Sequence, residues 1–226
     1  MSGVIVKQDW NRIGISLSGG ADSALLAYLI LKETDADIYF TTQIRMWKTR
    51  PWQRYTAQTV VAWFKDRFTN RIEHIEGFIP PEMEEPTTTF IIDEYGVRKP
   101  GNRIILRAHN EWIAHTHNLD AWFAAVNKNP DIHIPGALEE RDKGVLPLHM
   151  KHMGIDICHP FVYIKKDWII KQYYENNIED LLNITRSCEG EFEGLDYTTY
   201  IPNQKVPICG QCFWCKEREW AIEQNK

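Results

Sequence analysis

The sequence lacks both an excess of positive charge and a long apolar run. Its 226 residues carry 31 acidic and 26 basic side chains, a formal net charge of −5. A chain that coats nucleic acid needs a basic excess, so we expect no stable nucleic-acid partner. The longest apolar and aromatic run, residues 24–31, has eight residues, whereas a membrane-crossing helix needs about 20. With no apolar signal core near the N-terminus, the sequence predicts a cytoplasmic protein with no membrane partner.

Internal repeats and low-complexity tracts are also missing from the sequence, and its Pro-rich linkers are short. Chains built from stacked repeats or from separate units joined by long linkers are therefore excluded. We expect a nucleotide-binding core over residues 1–157. Residues 158–226 would form a helical, metal-tied region that is not an independent domain.

Apolar patterning predicts strands that alternate with helices along the first half of the chain. The predicted strands cover 12–17, 38–42, 71–75 and 121–126, with a hairpin around 89–98. The predicted helices cover 22–31, 53–68, 102–117, 146–152, 166–175, 178–184 and 213 to the end. This alternation predicts an α/β fold with three layers, in which a parallel sheet has helices on both faces.

A glycine-rich segment lies between the first predicted strand and helix. Residues 17–24 read Leu-Ser-Gly-Gly-Ala-Asp-Ser-Ala. Glycines at this place allow a tight turn, and the following helix N-terminus presents N–H groups to an anion. The hydroxyls of Ser18 and Ser23 can donate to phosphate oxygens. The segment is not a Walker-type phosphate loop, because the required Gly-Lys-Ser/Thr ending is missing. A plain helix start is the structural alternative.

Five cysteines are unevenly distributed, and three of them lie within seven residues. Cys188 is followed by Cys209, Cys212 and Cys215, the last three in two consecutive Cys-x-x-Cys steps. Four thiolates make the closed tetrahedral set that structural zinc prefers, so this pattern predicts a zinc site that ties down the C-terminal segment. Cys158 is left over, and we interpret it as a small buried side chain rather than a catalytic thiol.

The glycine-rich segment resembles the SGGxDS pyrophosphate loop of the N-type ATP pyrophosphatases. In combination with the later cysteines, the chain resembles the 7-cyano-7-deazaguanine synthase (QueC-type) family, from about residue 12 to 218. Weaker matches to that family are Lys-Pro-Gly-Asn-Arg-Ile-Ile-Leu at 99–106, His-Pro-Phe-Val-Tyr-Ile-Lys-Lys at 159–166 and Arg-Ser-Cys at 186–188. The fold implied by this resemblance is the adenine nucleotide alpha hydrolase-like one.

The resemblance implies a reaction and a set of site residues. ATP would bind with its pyrophosphate on Ser18, Gly19, Gly20, Asp22 and Ser23, and Asp22 would position Mg²⁺. Lys166 would bind the phosphates, and Lys166 and Arg103 would neutralise the leaving group, so the implied catalytic residues are Asp22, Lys166 and Arg103.

In the family, the carboxylate of 7-carboxy-7-deazaguanine is adenylated, ammonia displaces AMP to give an amide, and a second adenylation yields the nitrile. The implied cofactors are therefore ATP, Mg²⁺ and Zn²⁺. Family members often pair as homodimers, so a homodimer is also expected.

Several segments depart from the family pattern and leave the acceptor open. Asn102 and Arg103 stand in inverted order, and the loops at 42–54 and 127–142 lack the family's motifs. The 20 residues between Cys188 and Cys209 form an acidic insertion. Two alternatives therefore stay open: a related enzyme that joins the activated carboxylate to a protein amine in antiviral defence, and a nucleotide-binding module without turnover. A relative that thiolates tRNA is disfavoured by the net charge.

Overall fold

A computed structural model describes residues 6–45, 52–79, 90–92, 98–137, 146–189 and 208–226. The strands are β1 Arg12–Ser16, β2 Asp37–Arg45, β3 Ile72–Ile79, β4 Phe90–Ile92, β5 Arg98–Pro100, β6 Ala121–Phe123, β7 His149–His152 and β8 Ile155–Cys158. The helices are α1 Ala21–Glu33, α2 Gln53–Arg67, α3 Gly101–Thr116, α4 Lys166–Glu175, α5 Glu179–Ile184 and α6 Phe213–Glu223. No helix within these ranges is long and apolar enough to cross a membrane.

Six of the strands form one sheet in the order β3-β2-β1-β6-β8-β7. All neighbouring pairs are parallel except β7 with β8. The strands β4 and β5 form a separate antiparallel pair. The chain builds the sheet outward from β1 on one side and then crosses to β6 on the other. The carboxyl end of β1 is therefore a topological switch point, where open α/β sheets bind their ligands.

Buried side chains lie on both faces of this sheet. Along β2, Ile38 and Phe40 belong to the larger hydrophobic core, whereas Tyr39 belongs to a second one, as expected because successive strand residues point to opposite faces. The larger core includes side chains of α1, α2, α4, α5 and α6. The second core joins Tyr39 to Ile113 of α3 and Trp122 of β6. Helices cover both faces, which confirms the three-layer α/β prediction.

The prediction of a helix at 146–152 is wrong. Residues 149–152 form the edge strand β7, which pairs with β8, a strand that the sequence patterning did not identify. The connecting residues Met153 and Gly154 both have positive φ, 51° and 85°, as in a two-residue hairpin turn whose twist matches that of the strands. Pro147 precedes the segment and has no N–H with which to continue a helix.

Candidate functional site

The glycine-rich segment forms a tight connection between β1 and α1. The N–H of Leu17 still donates to the carbonyl of Thr41 at 2.8 Å, after which the chain turns away from the sheet. Gly19 has a φ of +76°, and a Cβ there would lie 2.9 Å from the backbone nitrogen of Ala57. Both the left-handed conformation and the close approach of α2 require glycine at this position.

Hydrogen bonds among the loop's own groups fix its shape. The Ser18 N–H donates to Ser23 Oγ at 3.2 Å, and the Ser23 hydroxyl donates to the Gly20 carbonyl at 3.1 Å. The Gly20 N–H donates to Ser18 Oγ at 3.3 Å. Because the N-cap residue of α1 is Gly20, no capping side chain competes with an anion for the N–H groups of the first helical turn. These hydrogen bonds hold the loop in one shape and leave the start of α1 without a capping side chain.

The structure brings Asp22 and Lys166 together, although they are 144 residues apart in the sequence. Lys166 Nζ donates to Asp22 Oδ1 at 2.7 Å and to Oδ2 at 2.6 Å. The Lys166 side chain is 1% exposed and that of Asp22 is 19% exposed. The ammonium is therefore buried below the loop, while its carboxylate partner reaches the surface at the first turn of α1.

Tyr173 of α4 supports the same helix start. Its hydroxyl donates to the Ala21 carbonyl at 2.6 Å. Burial, reinforced by the nearby Asp22 carboxylate, raises the pKa of Tyr173 well above its ordinary value. The phenol therefore stays protonated and acts as a fixed donor, which ties α4 to the phosphate-loop end of α1.

Several residues of the predicted site lie outside the residues that the structure describes. Arg103 lies in α3, but its side chain is outside the described residues. Residues 46–51 and 138–142, from the two altered loops, are also outside them, as are residues 190–207 of the acidic insertion.

The four predicted metal ligands Cys188, Cys209, Cys212 and Cys215 form one cluster. Their sulfur atoms all lie within 4.8 Å of one another, with 3.5 Å between Cys188 and Cys209 and 3.8 Å between Cys209 and Cys215. Four cysteine sulfurs at this spacing form a metal-binding group.

The local environment of Cys209, one of the four cysteines, favours the thiolate form. Burial acts to raise the pKa of Cys209, but hydrogen bonds from the backbone N–H groups of Cys212 and Gln211 and from neighbouring thiols outweigh it and lower the pKa to about 6. Burial raises the pKa of Cys215. Cys158 lies apart in β8, and burial raises its pKa to about 11, so its thiol is protonated at neutral pH.

Residues beside the cysteine cluster connect it to the glycine-rich loop between β1 and α1. Trp52 packs against Cys188, and the guanidinium of Arg186 lies 4.2 Å from the centre of the Trp52 ring. The N–H of Arg186 donates to the Gly19 carbonyl at 3.0 Å. Arg218 of α6 donates to the carbonyls of Leu182 and Thr185 at 2.8 and 3.1 Å, just before Arg186. No local sequence pattern predicts these contacts, because they join residues that are far apart in the chain.

A second polar group at the same edge of the sheet lies in the altered segment 42–54, but its contacts were not predicted. Gln43 near the end of β2 contacts His109 and Asn110 of α3 through its amide nitrogen, at 2.7 and 3.1 Å. A usable signal is the position of Gln43, a polar residue at the carboxyl end of a parallel strand, which is where ligands bind in such sheets.

Comparisons with protein-family models and with curated protein sequences give no match to this chain. Among solved structures, it is similar to the U34-tRNA thiolase NcsA from Methanococcus maripaludis, which has a 4Fe-4S cluster. The TM-score is 0.52 at 14% identity, covering 97% of this chain and 66% of that one. This chain thus spans just under two thirds of the thiolase's length.

Two further solved structures are more distant. The NH3-dependent NAD synthetase from Campylobacter jejuni has a TM-score of 0.48 at 14% identity, covering 77% of this chain and 68% of that one. The phosphoadenylyl-sulfate reductase from Candida auris has a TM-score of 0.45 at 10% identity, covering 84% of each chain. At such low identity a likeness concerns the fold alone. The similarity to the thiolase agrees with the adenine nucleotide alpha hydrolase-like fold that the sequence predicts.

Proposed function

We propose that this protein is an ATP-dependent ligase that adenylates the carboxylate of 7-carboxy-7-deazaguanine and forms a carbon–nitrogen bond, releasing AMP and pyrophosphate. The observation that carries the proposal is the Asp22–Lys166 pair at the end of the glycine-rich loop, which would hold the phosphates. A carboxylate for Mg²⁺, a buried ammonium and free helix N–H groups are what a departing pyrophosphate requires. The choice of carboxylate rests on the sequence resemblance to the QueC-type family.

The chemistry divides into activation and transfer. In activation, a substrate carboxylate oxygen attacks the α-phosphorus of ATP, and the bond to the β-phosphate oxygen breaks as pyrophosphate leaves. The N–H groups of α1 and the hydroxyls of Ser18 and Ser23 would hold the pyrophosphate. Lys166 would offset its charge, Asp22 would hold Mg²⁺, and Arg103 would add a second cation. Magnesium supplies further charge neutralisation when it is bound.

In transfer, the ammonia lone pair attacks the acyl carbon, AMP leaves with the bonding electron pair, and the nitrogen releases a proton to give the amide. A second ATP then adenylates the amide oxygen with release of a second pyrophosphate, and loss of AMP together with the two protons of the amide nitrogen gives the nitrile. The alternative acceptor is a protein amine, and its product amide cannot go on to a nitrile because the amide nitrogen carries a carbon substituent and only one proton.

For the metal, we propose one zinc ion held by the four cysteines. Tetrahedral zinc with a Zn–S distance of about 2.3 Å places its sulfurs about 3.8 Å apart. Two of the sulfur pairs lie 3.5 and 3.8 Å apart, and all four sulfurs lie within 4.8 Å of one another. A 4Fe-4S cluster attaches each cysteine to a different iron, and therefore needs larger distances between the cysteine sulfurs. Zinc when bound supplies a fixed crosslink between Cys188 and the start of α6.

Mass spectrometry of the reaction products tests the proposed function. The protein is incubated with ATP, Mg²⁺ and 7-carboxy-7-deazaguanine, with and without ammonium. We expect AMP, pyrophosphate and, with ammonium, the nitrile. If an adenylate or AMP forms without amide or nitrile, the proposed acceptor becomes a protein amine instead of ammonia. Absence of any carboxylate-dependent ATP consumption would contradict the ligase and favour a nucleotide-binding module.

Elemental analysis of freshly purified protein tests the metal. We expect one zinc per chain, little iron and no visible absorption band. The variant Cys212→Ser should lower the zinc content, whereas Cys158→Ser, which changes a cysteine outside the cluster, should not. If the analysis finds iron and acid-labile sulfide, the four cysteines bind an iron–sulfur cluster and the zinc proposal is wrong.

A further inference from the structure

We infer that Gln43, His109 and Trp112 form a recognition site for a planar nitrogen heterocycle, at the carboxyl edge of β2 and on the α3 face of the sheet. The inference rests on the proposed function, because it gives that reaction the place where the heterocyclic part of its substrate binds. It also names residues that determine specificity and that the family resemblance did not supply.

The position of Gln43 beside the phosphate loop is the first step. Ser16 is paired with Thr41 in the ladder of β1 and β2. Beyond that pair, the Leu17 N–H donates to the Thr41 carbonyl at 2.8 Å, and the Thr42 hydroxyl donates to the Leu17 carbonyl at 2.7 Å. Gln43 therefore follows directly after the last contact between the strands, where Ser18 begins the loop. Neighbouring strands are about 5 Å apart, so a molecule at Gln43 borders the pyrophosphate cradle.

The second step is the way in which His109 is held. The Gln43 amide nitrogen donates to His109 Nδ1 at 2.7 Å and to Asn110 Oδ1 at 3.1 Å. Since Nδ1 accepts, the ring proton of a neutral His109 lies on Nε2. Burial lowers the pKa of His109, which favours this neutral form. His109 is thus a fixed hydrogen-bond donor, suited to a ring nitrogen, a carbonyl or a carboxylate oxygen.

Gly77 of β3 provides the space for this pair. A Cβ at position 77 would lie 2.2 Å from Gln43 Oε1 and 2.5 Å from His109 Nδ1. Any larger residue would push the amide and the imidazole away from their present positions. Local backbone propensity does not favour glycine inside a strand, so its presence here fits a requirement for close approach.

Trp112 supplies an aromatic surface next to the donor. Its ring is stacked on His109, with centroids 5.9 Å apart and an interplanar angle of 12°. The side chain is nevertheless 58% exposed. An exposed tryptophan held parallel to a second ring offers a stacking face to a planar base.

A buried hydroxyl lies on the same face of β2. Thr41 is 2% exposed, and within the described part of the chain its Oγ1 has no hydrogen-bond partner. It lies two residues before Gln43, so both side chains point toward α3. A buried hydroxyl is costly unless it is satisfied, which fits a site that is completed by a polar ligand.

Kinetics and binding of matched variants test the site. In Trp112→Ala and His109→Ala we expect the KM for 7-carboxy-7-deazaguanine to rise about tenfold or more, the scale of one lost base-stacking contact. The KM for ATP should change by less than about twofold, because the phosphate loop is intact. Trp112→Phe retains a ring and should recover part of the loss. The control His115→Ala changes an exposed histidine on the same helix and should behave as wild type.

Calorimetry without ATP separates this inference from the proposed reaction. The probes are 7-carboxy-7-deazaguanine, guanine and adenine, with circular dichroism to verify that each variant is folded. If the wild type binds a heterocycle through Trp112 but releases no pyrophosphate, the ligase fails and the recognition site stands. If the wild type turns over and the folded variants keep its KM, the site is wrong. If no planar heterocycle binds the wild type by either measurement, the site is also wrong.

Discussion

The backbone N–H of Arg186 donates to the carbonyl oxygen of Gly19 at 3.0 Å. Arg186 lies two residues before Cys188, so the segment that enters the cysteine cluster also holds the turn of the glycine-rich loop. Its guanidinium lies over the ring of Trp52, which packs against Cys188. One short segment therefore joins the cysteine cluster to the turn of the glycine-rich loop, and we expect a change in one to affect the other.

The first prediction concerns the side chain that fixes this segment. Arg186→Ala removes a cation–π contact worth about 0.5–2 kcal/mol and loosens the backbone that holds Gly19. We expect the KM for ATP to rise about threefold to tenfold, measured by pyrophosphate release. The matched control is Arg67→Ala, because Arg67 lies 4.3 Å from the Trp63 ring in the same kind of contact but away from the loop. Equal changes in KM for the two variants would argue against the coupling.

The second prediction compares two glycines with similar backbone conformations. Gly19 has φ +76° with α2 at 2.9 Å from the place of a Cβ, whereas Gly154 has φ +85° and nothing within 4 Å of that place. Alanine in the left-handed region costs about 1–2 kcal/mol at either position, and at Gly19 the clash adds to this. We expect Gly154→Ala to lower the Tm by a few degrees and retain activity. Gly19→Ala should lose most ATP binding, as calorimetry would measure.

The third prediction separates the structural and chemical roles of the Asp22–Lys166 pair. Asp22→Asn leaves a buried ammonium without its counter-charge, which should destabilise the fold by about 1–3 kcal/mol and reduce pyrophosphate release about 100-fold or more. Adding Lys166→Met removes the orphaned charge, so the double variant should regain stability without regaining activity. If the double variant regains activity as well as stability, the pair has only a structural role. Asp66→Asn, at a side chain that is 77% exposed, is the control for both measurements.

The sequence could identify features whose residues are contiguous. The tight glycine-rich loop and the clustering of the three cysteines at 209–215 were predictable because backbone geometry and ligand spacing are local properties. The first strands and helices were also predictable, since their apolar residues follow the periods of buried elements. The partnership of Asp22 with Lys166 spans 144 residues, and only the family resemblance pointed to Lys166.

Elements that depend on tertiary context were not predictable in the same way. The strands β7 and β8 have four residues each, too short for a periodic signal, and the Met-Gly turn between them lacks the usual Asn-Gly or Asp-Gly pair. The contact of Gln43 with His109 joins residues 66 positions apart. No local pattern encodes such a contact, because it arises only when α3 packs across β2.

The last prediction concerns acid stability at the edge of the sheet. Asp156 of β8 accepts hydrogen bonds from Lys7 at 2.8 Å and from His149 at 2.6 Å, and its side chain is 8% exposed. The hydrogen bond from Lys7, assisted by the one from His149 and opposed by burial, lowers the pKa of the Asp156 carboxyl.

A carboxyl group whose pKa is lower in the folded than in the unfolded chain stabilises the fold at every pH above its unfolded value of about 3.9. That stabilisation is lost as the pH falls through the folded value. We therefore expect Asp156→Asn to lower the Tm by a few degrees at pH 6–8 and the difference from wild type to shrink steadily below about pH 4. Thermal unfolding across this range measures the difference, with Asp35→Asn as an exposed control. If the difference in Tm stays constant down to pH 2, the variant has lost stability through packing, because packing does not depend on pH.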